Sequence, residues 1–130
     1  MYDGFIVFLG AGDLQKIHDF YSGLLGCALA IDQSTCRIYQ VSTKAYVGFC
    51  LHLETKADPT TRSPMLTLVT DRVDEVYTRI LSRGLWVDGP PRLNAKYNIY
   101  HFFTRDPEGY TVEVQEFVQP EHRSMFAHGI

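Results

Sequence analysis

Residues 106–117 read DPEGYTVEVQEF. Asp106-Pro107-Glu108-Gly109 reads as a turn. Beyond the turn the side chains alternate, with Val112 and Val114 on one side of a strand and Thr111, Glu113 and Gln115 on the other. A carboxylate in the middle of so apolar a strand is a metal ligand, a catalytic base or a group on the solvent face. The rest of the chain has to decide between them.

Upstream of the turn, strand-like runs cover about 98–105 and 85–88, and Pro90 and Pro91 exclude strand structure at the centre of the loop between them. Before these, Val73, Val76, Tyr77, Ile80 and Leu81 recur at helical spacing, with Asp71 as a candidate N-cap and Gly84 as the stop. MLTLVT, from Met65, reads as a strand. The N-terminal half has the same order. GFIVFL (4–9) reads as a strand, and Asp13 caps a helix carrying Leu14, Ile17, Phe20, Tyr21, Leu24 and Leu25 that ends at Gly26. Further strand-like runs lie at about 27–32, 36–42 and 46–54. The stretch KADPTTRSP (56–64) is a linker between the halves. The chain therefore reads β-α-β-β-β twice, with a period of roughly 60 residues.

Bulk properties mainly exclude. A chain of 130 residues that is 45% hydrophobic is long and apolar enough for one domain with a real core. A net charge of -3 with scattered Lys and Arg offers nucleic acid no basic stripe. No apolar run approaches the ~20 residues of a membrane span. The first residues, MYDGFIVFLGAGDL, lack the basic segment and small-residue cleavage site of a signal peptide. Cys27, Cys36 and Cys50 are an odd number with no CxxC pair, which argues against a zinc finger or a disulfide framework and for a reducing cytoplasm. Cys36 and Cys50 read as small buried hydrophobes.

The helix pattern D-L-x-K-x-x-x-F-Y-x-x-L-L-G at Asp13–Gly26 resembles the first helix of the vicinal oxygen chelate superfamily, which includes glyoxalase I, bleomycin- and fosfomycin-resistance proteins and extradiol dioxygenases. DPEGYTVEVQEF is similar to its closing turn and Glu-bearing strand. The resemblance runs from about residue 4 to 118 and implies a glyoxalase-like α+β fold: two βαβββ modules (about 1–55 and 64–118, with a tail at 119–130) whose curled mixed sheets surround an open cleft. On that reading Gly48, Cys50, His52 and Glu54 face the cleft from one strand, opposite Phe49, Leu51 and Leu53. Glu113 and Gln115 face it from the last strand, and Met65 and Thr67 from the fifth. The resemblance also turns His101 and Phe103 inward, whereas a plain two-residue hairpin gives the opposite parity. Arg37 and Tyr39 flank Ile38, with either side open to them.

The same resemblance locates four metal-ligand positions. Glu113 matches one and His52 or Glu54 another, but the remaining two fall near Ile6 and Met65, neither a ligand for a hard or borderline ion. A substitute set of His52, His101 and Glu113 suits Fe, Mn, Ni or Zn, or else metal-free acid–base work. Against these stand plainer readings: His101 as a hydrogen-bonded wall residue, His52 and His18 as surface groups, and His122 and His128 in a polar tail. Three functions are open. The first is a metal-free small-molecule binding protein of bleomycin-resistance type, with an aromatic-walled cleft. The second is a metal-dependent lyase, isomerase or dioxygenase. The third is a non-catalytic dimerising module. The missing donors favour the first, and the resemblance implies a homodimer.

Overall fold

The computed structural model describes residues 1–127, so His128 lies outside the described residues. The chain forms two compact units, one made of Met1–Ser63 with Asp106–Tyr110, the other of Pro64–Arg105 with Thr111 onward. Each is a four-stranded mixed sheet with a helix on one face, so the α+β fold with a doubled β-α-β-β-β order is what the chain adopts.

In the first unit the strands are β1 (Phe5–Gly10), β2 (Ala28–Asp32), β3 (Cys36–Ser42) and β4 (Ala45–Cys50), arranged β1-β4-β3-β2 with β1 parallel to β4. Helix α1 (Leu14–His18) widens into a π-helical segment, Asp19–Leu24. Asp13 caps it as its position suggests, its carboxylate accepting from the backbone of Gln15 and Lys16, both at 3.1 Å. Gly26, at φ +78°, reverses the chain at the other end. The helix buries Ile17, Phe20, Tyr21 and Leu24 against Tyr39, Val47 and Phe49, with the Tyr21 and Phe49 rings 4.8 Å apart. That packing defines the helix face of the sheet.

The turn 106–110 completes this unit. Asp106 accepts from the backbone of Glu108 (2.9 Å) and Tyr110 (3.0 Å) and from the Tyr21 hydroxyl (2.7 Å). The Tyr110 hydroxyl lies 2.7 Å from the carbonyl of Gly10 and 2.6 Å from that of Thr55, two acceptors for one proton. Glu108 in turn accepts from the backbone of Gly12 at 3.0 Å. A motif legible as a turn is therefore also a plug of buried polar groups.

The second unit repeats the plan. Strands β5 (Met65–Val69), β6 (Arg92–Asn94), β7 (Ile99–Arg105) and β8 (Thr111–Phe117) are ordered β5-β8-β7-β6, with β5 parallel to β8. Helix α2 (Val73–Ser82) buries Val73 and Ile80. Its Tyr77 meets Phe102 edge to face at 5.3 Å, which puts Phe102, Val112 and Val114 on the helix face. Two short helical turns, α3 (Pro120–Arg123) and the 3-10 segment Ser124–Phe126, come after β8.

Four expectations need correcting. The strand expected over 46–54 stops at Cys50, so Leu51, His52 and Glu54 lie beyond it and are exposed. The run 85–88 is no strand beyond a single bridge from Val87 to Thr104, and the three-residue β6 stands after the prolines instead. Asp71 does not cap α2, where Arg72 holds the cap position and no side chain closes the end. Finally, Cys36 and Cys50 are joined in a disulfide, and Cys27 is the buried free thiol. They are direct cross-strand partners of β3 and β4, so the register that pairs the backbones also pairs the sulfurs. The pairing removes the case for a reducing compartment from unpaired cysteines. Unfolded protein should titrate one thiol before reduction and three after it, and reduction should cost up to about 3 kcal/mol for a loop of this size. Three thiols at the outset would refute the bond.

Candidate functional site

The sheet face away from α2 carries the chemistry of the second unit. Direct pairing sets Thr67 beside Glu113 across β5 and β8, Phe103 beside Glu113 across β7 and β8, and His101 beside Gln115. Each residue therefore points the same way as its partner, opposite the helix face. Glu113, His101, Phe103 and Gln115 are all buried.

The geometry commits both carboxylate oxygens of Glu113. Oε1 accepts from the Thr67 hydroxyl at 2.8 Å, and Oε2 lies 2.7 Å from Nδ1 of His101. At 7–8% side-chain exposure the His101–Glu113 contact is shielded from water, which makes each hydrogen bond stronger and the loss of either partner costly. A carboxylate only accepts, so Nδ1 is the donor of this bond, and Nε2 is the ring nitrogen left for another partner. The Phe103 ring meets the imidazole edge to face at 5.1 Å and fixes its plane.

Two residues that sequence reasoning missed shape the neighbouring strand end. Asp88 accepts from the backbone of Phe103 at 2.9 Å and binds the Arg92 guanidinium through both oxygens, at 3.0 and 2.6 Å. Arg92 pairs directly with His101 and lies 5.9 Å from the Phe103 ring centre, so it adds a cation to the same face. The signal was the Asp-Gly-Pro-Pro-Arg run at 88–92, an acid and a base four apart around a forced turn.

The residues expected from the first half are placed otherwise. Tyr39 and Arg37 pair with Val47 and Phe49 and so stand on the helix face, not the open one. The Tyr39 hydroxyl lies 3.1 Å from Nδ1 of His18, which is half-buried, not solvated. The Arg37 guanidinium lies 3.8 Å from Asp32 and 3.5 Å from the carbonyl of Leu14. Cys50 is on the open face but spent in the disulfide. His52 and Glu54, past the end of β4, are not held by any ladder. Met65 and Thr67 share the open face of the second unit, Met65 half exposed at the edge of the sheet.

A metal centre requires at least three converging donors, and among the described residues no group of three His, Cys, Asp or Glu side chains is placed to hold an ion. Ile6 and Met65 supply no donor of the required kind. Among the described residues, the donor set does not fit the four-ligand metal centre that the resemblance implied.

A paired βαβββ architecture whose last strand carries a buried Glu has a counterpart among known proteins. The family model of the Glyoxalase/Bleomycin resistance protein/Dioxygenase superfamily matches residues 6–114. The chain belongs to that superfamily. No curated protein matches it significantly. Among solved structures, a superfamily member from Sphaerobacter thermophilus superposes with a TM-score of 0.74 at 20% identity, over 89% of this chain and 98% of that one. A glyoxalase/bleomycin resistance protein/dioxygenase from Alicyclobacillus acidocaldarius gives 0.73 at 19% identity, over 93% and 95%. A virulence protein from Salmonella typhimurium gives 0.69 at 23% identity, over 91% and 99%. At these identities the likeness is one of fold.

Proposed function

We propose that this superfamily member is a small-molecule binding protein of bleomycin-resistance type, working without a metal and gripping its ligand through Nε2 of His101. The carrying observation is that Glu113, the residue of the family's metal position, spends both oxygens on Thr67 and His101. A carboxylate so engaged orients an imidazole, much as outer-sphere carboxylates orient metal-bound histidines. That arrangement leaves one directional acceptor, Nε2, beside the aromatic edge of Phe103, suited to a flat ligand bearing an O–H or N–H donor.

The same dyad favours a second reading. An imidazole backed by a carboxylate is a general base, so a bound ligand with an acidic C–H or O–H would be open to proton abstraction at Nε2. Binding comes first in either case.

The test is a thermal-shift screen of flat aromatic hydrogen-bond donors on the whole chain, with Fe(II), Mn(II), Ni(II) and Zn(II) titrated in parallel. Expected are ligands that lose about tenfold or more in affinity in His101→Ala, and no ion that binds near stoichiometrically. An ion retained at one per chain and released by Glu113→Gln would overturn the reading in favour of the metal-dependent enzyme.

Glu113→Gln has its own signature. Thr67 and His101 both donate to the carboxylate, whereas a Gln amide offers one acceptor and one donor, so one of the two must turn to accept from it. The imidazole is then held less firmly, and ligands that bind through Nε2 should lose several-fold in affinity. Affinity equal to that of the parent would disconnect Glu113 from His101.

The superfamily often forms dimers, and we propose a homodimer here through β1. It is an edge strand on which Phe5, Ile6, Val7 and Phe8 are 67, 42, 41 and 43% exposed, a run that isolated edges avoid. Sedimentation should give a dimer that Val7→Lys converts to monomer, whereas a monomeric parent chain would refute the proposal.

A further inference from the structure

A cavity of about 340 Å³ opens at the far end of the second unit's sheet, where Val69 and Phe117 meet the C-terminal residues Phe126 and Ala127. That volume is in the range of small-molecule sites. Its lining sets it apart from the His101 site: Val69 stands in the same cross-strand row as Gln115 and His101, two residues past the Thr67–Glu113 pair, but neither His101 nor Glu113 lines the cavity. Its floor is aromatic. The Phe117 and Phe126 rings stack at 5.4 Å and 13°, and Phe126 stays 47% exposed, leaving ring surface for a ligand.

The charged groups on the rim sort themselves by partner. Arg123 is committed, 3.2 Å from Glu116 and donating through Nε to the carbonyl of Phe117 at 3.2 Å. The carboxylate left over is Asp71, which lines the cavity and takes no part in capping α2. The first turn of that helix adds Asp74 and Glu75, of which Glu75 faces Arg72 at 3.5 Å. The local balance stays negative, even against the positive end of the helix dipole.

We propose that this cavity is a second binding site, taking a flat aromatic amine with its ring against Phe126 and its ammonium at Asp71. An aromatic floor beside an uncommitted carboxylate recognises such a cation twice, by charge and by ring contact. The proposal does not rest on the role given to His101.

The experiment is a titration of the full chain with tryptamine, and with indole-3-acetate as the same ring of opposite charge, monitored by backbone amide shifts. Tryptamine should saturate, with the largest shifts at residues 69–71, 117 and 126, and bind at least tenfold more tightly than indole-3-acetate. Asp71→Asn should weaken it about tenfold, Phe126→Ala similarly, and His101→Ala not at all. Asp71 is exposed, so its variant keeps the test valid if Phe126→Ala does not fold. Absence of saturation, equal binding of the two indoles, indifference to Asp71→Asn, or loss in His101→Ala would each overturn the proposal.

Discussion

Replacing Gly10 with Ala should lower stability by about 3 kcal/mol, a fall of roughly 10 °C in melting temperature for a chain of this size. A methyl group there would sit 2.7 Å from the carbonyl oxygen of Thr55 and nearer still to that of Leu53, both backbone atoms. Neither can turn aside as a side chain can. The Gly10 and Thr55 carbonyls are also the two acceptors within reach of the buried Tyr110 hydroxyl, so any retreat of the 53–55 segment loosens that bond as well. Gly48→Ala is the control. Its added methyl would meet the Phe8 ring at 2.5 Å, but that ring is a side chain on two rotatable bonds and can give where a backbone carbonyl cannot. Its cost should stay below about 1 kcal/mol. Equal losses in the two variants would refute this account of the packing.

The second large effect is a dependence on pH. Burial pushes the Asp106 carboxyl up from 3.8 to about 6, against the opposing pull of the Tyr21 hydroxyl and the backbone N–H groups of Tyr110 and Glu108. Between those values the folded chain holds a proton that the unfolded chain has released. The contribution to stability is thus complete below about pH 4 and is lost as pH rises through 6. The change amounts to about 3 kcal/mol. Asn at this position keeps an acceptor for the turn's N–H groups but cannot titrate. Urea unfolding of the parent and of Asp106→Asn at pH 4 and pH 7 should show the variant gaining on the parent by about that amount at the higher pH. A constant difference across the range would mean that the carboxyl titrates normally.

Much of the fold was legible because its elements obey strong local rules. The α1 stripe from Leu14 to Leu24, the Asp13 cap and the alternation of β8 each come from periodicity or side-chain chemistry alone. What failed did so for physical reasons. Alternation continues past Cys50 as Leu51-His52-Leu53-Glu54, yet β4 has no partner to pair with there, and pattern without a ladder makes no strand. Strand β6 is three residues long, too short for any period to show.

The disulfide and the sidedness of Arg37 and Tyr39 were readable in principle. Cys36 and Cys50 lie seven residues either side of Thr43, and an antiparallel register centred there pairs Cys36 with Cys50, Arg37 with Phe49 and Tyr39 with Val47. Since alternation already assigns Phe49 to the helix side, Arg37 and Tyr39 have to go with it. The Glu113–His101 contact was beyond such reasoning. Alternation fixes a face, but which side chain on that face a carboxylate meets is set by distance.

The first unit is not a continuous piece of chain: residues 106–110 belong to it, although 42 residues of the other unit (Pro64–Arg105) intervene. On a ribosome, the N-terminal sheet and helix would emerge long before the aspartate that accepts from Tyr21 and the tyrosine that reaches Gly10. Until residue 110 is out, the nascent half must leave a buried hydroxyl and two carbonyls to water, so native order in it has to wait for most of the second repeat. A gene trimmed to its first repeat should then yield a loosely ordered fragment. A short synthetic peptide carrying DPEGY would be the natural candidate to tighten it.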